Sequence, residues 1–144
     1  MLLKLNPEHL LLIRTHAAST YPEECCGIIL GYLANESKTV VEVIPTENAW
    51  SGETLEDNKR RRYAIAPEIM LKIQKEARDR SLHIIGIYHS HPDNPAIPSE
   101  SDRIQAWQEY SYIIVSVPNG KAGELKSWHL DGDRQFQEEE IEIA

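Results

Sequence analysis

Cysteine is nearly missing from this 144-residue chain: only Cys25 and Cys26 occur, and they are neighbours. Adjacent thiols can neither staple a loop nor supply the spaced pairs of a structural zinc site, so both are expected to pack as small buried hydrophobes. A chain without long-range disulfides suits a reducing compartment. No apolar run of about eighteen residues could span a membrane, and no basic-then-apolar leader is visible. The expectation is a cytoplasmic, soluble protein with no membrane partner. Basic charge is also scarce: 15 Lys and Arg stand against 23 Asp and Glu, a net −8. General nucleic-acid binding needs a basic footprint to neutralise phosphates, so nucleic acid is excluded as a partner. Neither an internal repeat nor a low-complexity segment suggests a second domain. With 41% hydrophobic content, residues 1–144 fit a single domain able to bury a core.

What is present alternates between helical and strand patterns. Asn6-Pro7-Glu8 opens a helix whose stripe of Leu10, Leu11, Ile13 and Ala17 runs over about 7–20, before Tyr21-Pro22. Cys25 to Leu33 and Thr39 to Pro45 read as a hairpin around Asn35-Glu36-Ser37. Residues 48–62 show no periodicity and read as a long loop, a kind of segment that in compact domains tends to be functional. Within it Lys59-Arg60-Arg61-Arg62 is a basic run in an acidic chain, either a solvated loop or a dock for an acidic surface or a chain-terminal carboxylate. Pro67 starts a second helix that ends near Arg80, with Ile69, Met70, Ile73 and Ala77 on its buried face. An apolar strand, Leu82 to Tyr88, precedes a helix over about Glu100 to Glu109. Tyr112–Val117 and Glu124–Leu130 are strands around Pro118-Asn119-Gly120. The tail from Arg134 reads as a last edge strand or a frayed acidic end.

The chemistry concentrates in Tyr88-His89-Ser90-His91-Pro92 and Pro98-Ser99-Glu100-Ser101-Asp102. His89 and His91 share one face of a strand end by period-two spacing. Ser99 precedes a helix and Asp102 falls in its first turn, a pattern that also reads as a capping box. Two nitrogen ligands and one oxygen ligand leave a fourth tetrahedral position for water, which describes a catalytic zinc site better than a structural one. Amide hydrolysis there also needs a carboxylate to take a proton from water and give it to the leaving nitrogen. Glu23 and Glu24, just before an apolar strand, are the candidates. Strand parity lets only one of them face the metal.

Glu24-Cys25-Cys26-Gly27, then His89-Ser90-His91-Pro92, then Ser99-Glu100-Ser101-Asp102 with seven residues between His91 and Ser99, resembles the signature of JAMM (MPN-plus) metalloproteases. The resemblance implies an α/β fold, a mixed sheet flanked by helices of the cytidine-deaminase-like kind. It implies one Zn²⁺ per chain held by His89, His91 and Asp102, with Glu24 rather than Glu23 as acid/base and Ser99 as donor to the tetrahedral intermediate. The short chain looks like the compact bacterial branch. That points to hydrolysis after the Gly-Gly end of a ubiquitin-like or sulfur-carrier protein, whose extended tail would add as a strand beside a free sheet edge. The segments 48–62 and 93–98 are expected to be flexible rims. A homodimer is left open. Two other classes compete. One is a non-catalytic binding scaffold of the same fold. The other is a zinc hydrolase of a small-molecule amide, or a deaminase, although the chain has no Pro-Cys-x-x-Cys ligand pair.

Overall fold

The computed structural model describes residues 1–144. Its strands are β1 (Leu2–Leu5), β2 (Cys26–Leu33), β3 (Ser37–Thr46), β4 (His83–Pro92), β5 (Ser111–Val117), β6 (Leu125–Leu130) and β7 (Phe136–Ile143). Three helices are inserted: α1 (Pro7–Thr20), α2 (Pro67–Asp79) and α3 (Glu100–Gln105). The strands close in the order β1-β3-β2-β4-β5-β6-β7. β2 runs antiparallel to β3 and β4, β4 is parallel to β5, and β1 is parallel to both β3 and β7. The tail is therefore neither an edge nor frayed, because β7 pairs with β6 on one side and β1 on the other. Closure also removes the open sheet edge expected to receive a substrate strand. No helix is long and apolar enough to cross a membrane.

Alternation along β2 and β4 splits the core in two. Ile29 and Tyr88 join Leu10, Ile13 and Ala17 of α1, while Ile28, Leu30 and Ile87 join Ile73 and Ala77 of α2. Truncating a residue such as the fully buried Ile13 to Ala costs about 2–5 kcal/mol. Asn6 caps α1 through a reciprocal pair with His9, as the Asn-Pro-Glu start predicts. Gly27 lies opposite Tyr88, and a Cβ there would meet the ring at 2.0 Å, so only glycine lets β2 pass over it. His16 and Tyr88 then meet at 2.7 Å, fixing α1 to the β4 face that points away from the histidine ligands. At the Leu33 end of the sheet lies a buried polar group. Lys38 Nζ donates to the Glu109 carbonyl at 2.9 Å and to Ser111 Oγ at 3.0 Å, and Ser127 Oγ donates to Glu139 at 2.7 Å. Glu139 Oε2 and His129 Nδ1 face each other at 3.7 Å.

Candidate metal centre

β4 runs past Tyr88 to Pro92, so both histidines belong to the strand itself. Ile87, His89 and His91 share a face by alternation, and Tyr88 and Ser90 point to the other. Ser90 Oγ accepts the Cys25 N–H at 2.8 Å, and Ser90 N–H donates to the Cys25 carbonyl at 3.2 Å. The residue between the two imidazoles thus clamps the Glu24-Cys25 segment against β4. Ser99 is the N-cap of α3: its Oγ accepts the Asp102 N–H at 3.1 Å, and Asp102 Oδ2 accepts the Ser99 N–H at 2.9 Å. The capping box exists, and its carboxylate is the one that reaches the histidines. α3 ends at Gln105 rather than near Glu109, and the chain turns through Trp107 so that its N–H donates to Tyr112 Oη at 2.7 Å.

Three atoms converge. His89 Nε2 lies 3.1 Å from His91 Nε2, and Asp102 Oδ2 is 3.3 Å from the first and 3.2 Å from the second. His91 Nδ1 sits 2.9 Å from the Pro95 carbonyl, which can only accept. Nδ1 therefore carries the proton and Nε2 presents a lone pair to the cluster. His89 is fully buried and its Nδ1 has no hydrogen-bond partner. Burial holds the His89 pKa below the ordinary imidazole value against the pull of Asp102, which keeps the ring neutral and able to ligate. Lone pairs packed this closely repel unless a cation lies between them. Atoms at the corners of a tetrahedron with bonds of about 2.0–2.1 Å are roughly 3.3 Å apart, so the donor set and its spacing fit zinc.

Glu24 is 6% exposed and Glu23 lies at the surface, so of the two acids the one implied by the family resemblance is the buried one. Burial first, then the Asp102 charge, pushes the Glu24 carboxyl up to about 9, with Arg62 opposing. Glu24 N–H donates to the Lys59 carbonyl at 2.8 Å. Asn48 Nδ2 donates to the carbonyls of both Glu24 and Arg62, at 3.1 and 3.0 Å, so one amide ties the acid to the long loop. Trp50 donates from Nε1 to Asp57 within that loop rather than standing free. The 93–98 rim is pinned, since Ser116 Oγ donates to the Asn94 carbonyl and Trp128 Nε1 to the Ala96 carbonyl. Tyr63 was not among the sequence candidates, yet its ring stacks on His89 at 4.4 Å between centroids and 21° between planes. The pairing depends on tertiary packing, and only an aromatic next to a basic run hinted at it.

Two depressions border the 48–62 loop and its basic run, and one of them reaches the cluster. A groove of about 890 Å³ runs beside Glu23 under Trp50, Leu55 and Lys59. A cleft of about 10 Å³ lies against the cluster, lined by Arg61, Arg62, Tyr63, Ser101, Asp102 and Gln105.

Comparison with known proteins agrees with this fold. The chain is 32% identical over 109 residues to a desampylase of Haloferax volcanii, covering 75% of this chain and 72% of that one. It is 27% identical over 153 residues to a CysO-cysteine peptidase of Mycobacterium tuberculosis, covering 100% and 98%. A solution structure of a Desulfitobacterium hafniense protein superposes with a TM-score of 0.82 at 28% identity, covering 99% of this chain and 92% of that one. The family described as prokaryotic homologs of the JAB domain matches residues 6–131. Its α/β sheet with three helices, and a match over most of its length, make this chain a member of that compact prokaryotic JAMM/MPN family.

Proposed function

We propose that residues 1–144 act as one zinc metallopeptidase domain, in the cytoplasm, that hydrolyses the amide after the C-terminal Gly-Gly of a ubiquitin-like or sulfur-carrier protein. The observation that carries this reading is the meeting of His89, His91 and Asp102, their ligand atoms within 4.8 Å of one another, next to the buried Glu24. Support for the substrate class comes from the relatives' names, a desampylase and a CysO-cysteine peptidase. The 890 Å³ groove has room for several residues of an extended tail.

Zinc held by these three residues would supply a Lewis acid that polarises a carbonyl and makes water acidic near neutral pH. The chain supplies the rest. His91 is oriented by its Nδ1–H bond to Pro95, and His89 by its stack on Tyr63. Glu24 takes the proton of the attacking water and delivers it to the leaving nitrogen. Burial and then the Asp102 charge raise the Glu24 carboxyl to about 9, and a cation held by the three ligands would oppose the second of these. Ser99 Oγ only accepts in the capping bond, so its O–H remains able to donate to the carbonyl oxygen as charge develops.

The test is zinc content by elemental mass spectrometry together with cleavage of a sulfur-carrier fusion extended beyond Gly-Gly. One zinc per chain and release of the extension are expected, with Glu24→Gln keeping the metal and losing turnover. Unchanged turnover in that variant would sink the acid/base assignment, and a preparation that takes up no zinc would return the protein to the scaffold class.

A further inference from the structure

The basic run is the part of the site that the hydrolysis above leaves unused. In a chain of net charge −8, Lys59 to Arg62 are four consecutive cations of which Arg61 and Arg62 line the cleft with Asp102, and none of the four makes an ion pair. The lysine and arginine pairs lie elsewhere, on Arg80, Arg103 and Lys126. Arg62 Nη1 donates only to the carbonyl of its neighbour Arg61, and the Arg61 guanidinium has no partner. Yet the backbone that carries them is fixed. Arg61 and Arg62 N–H both donate to the Asn58 carbonyl, at 3.0 and 2.9 Å, and Asn48 joins the Arg62 carbonyl to that of Glu24. Two unpaired guanidinium groups on a rigid frame shared with the acid/base are arranged for an anion that arrives with the substrate.

Resting on the hydrolysis reading, we propose that Arg61 and Arg62 form the leaving-group subsite and select a leaving group with a free carboxylate next to the scissile nitrogen: a single amino acid or a chain-terminal residue. The size of the two depressions assigns them. The groove of about 890 Å³ takes the carrier tail. The cleft of about 10 Å³ beside Tyr63 and Asp102 has room for a group no larger than about one water, such as a carboxylate oxygen. In the reaction water adds to the carbonyl, the C–N bond breaks, and the proton passed through Glu24 ends on the departing nitrogen. That nitrogen therefore leaves on the Glu24 side, where the Arg62 charge is felt. An α-carboxylate lies two bonds from this nitrogen and reaches the planar guanidinium fork. A lysine side chain linked through its ε-nitrogen would present uncharged methylenes instead.

The experiment uses the zinc-loaded full chain and three carrier-tail peptides of the same sequence: one ending Gly-Gly-Ala with a free carboxylate, one with that terminus amidated, and one joined to a lysine ε-nitrogen. The expected kcat/KM is at least about tenfold higher for the free acid. Arg61→Ala with Arg62→Ala should bring the acid and amide peptides to parity, and the double lysine variant should recover part of the preference. Equal wild-type rates, a preference that survives in the double alanine variant, or a lysine-linked peptide cleaved best would each overturn the subsite. Calorimetric binding to Glu24→Gln separates this failure from that of the hydrolysis reading. If no peptide is cleaved the activity is wrong, while the subsite still stands or falls on tighter binding of the acid than of the amide.

Discussion

The two ends of the sheet built from β3, β2, β4 and β5 both bury polar groups, and they satisfy them in different ways. At the Leu33 end, Lys38 donates to a carbonyl and a hydroxyl, and Ser127 donates to Glu139. The pair left over there, Glu139 Oε2 and His129 Nδ1, is an acceptor opposite a possible donor. At the Cys26 end, the His91 Nε2 lone pair and a carboxylate oxygen crowd together with His89 Nε2, which has at most one proton for the two of them. A network whose donors and acceptors pair within the chain, save one acceptor facing one possible donor, serves stability. One that ends in mutually repelling acceptors is completed only by a cation from outside, and this difference marks the second cluster as functional.

Substitutions that act at one end and spare the other test this contrast. The largest effect is expected for His89→Ala, which removes a ligand: zinc content by elemental analysis should fall from about one per chain to near zero and turnover by about a thousandfold or more. Ser99→Ala should keep zinc yet lower kcat by roughly 10²-fold through the lost donor, with about 1 kcal/mol of stability gone with the cap. At the far end, Lys38→Met leaves the Ser111 hydroxyl and Glu109 carbonyl without their donor. Urea denaturation should show a loss of about 2–4 kcal/mol while zinc stoichiometry stays unchanged. A smaller effect belongs to Glu24 in metal-stripped protein. The folded chain holds its proton to about pH 9, whereas the unfolded chain releases it near 4.5. The native state therefore binds the extra proton across that window, and stability declines as pH rises through it. Thermal melts of stripped Glu24→Gln should lack this decline and exceed wild type at pH 8, by an amount on the order of 1–3 kcal/mol. The two should converge toward pH 4.5, and parallel melting profiles at all pH values would contradict the burial of this acid.

Much of the site was legible because it is built from local rules. Period-two spacing puts His89 and His91 on one face, and a capping box puts Asp102 in the first turn of a helix wherever that helix packs. The bounds of α1 follow from Asn6, Pro7 and the Tyr21-Pro22 break. What stayed hidden depends on contacts distant in sequence. β1 is four residues long, too short to announce itself, and stands because β3 and β7 pair with it on both sides. The acidic alternation of 136–143 looked like an edge because its partner was that unseen strand. Lys38 reads as a surface residue until Glu109 and Ser111 fold over it. From strand parity alone Glu23 and Glu24 were equivalent and the family resemblance chose Glu24; its burial depends on the 48–62 loop, whose position a sequence without periodicity does not fix.

The pairing of β1 with β7 also sets a timetable for synthesis. Leu2 to Leu5 find their register against Glu140 to Ile143, and Ala144 N–H donates to the Leu5 carbonyl. β1 thus waits for β7, since a contact between strands this far apart in sequence carries the largest loop-closure cost in the fold. The hairpin of β2 and β3, and β4 beside it, can assemble while translation continues, but the closed sheet cannot form until residue 143 has emerged. During that interval β1 is without its β7 partner, and its edge is open to other chains. Chain shortening at the C-terminus should therefore appear first as aggregation during expression, before any change in the chemistry of the metal end.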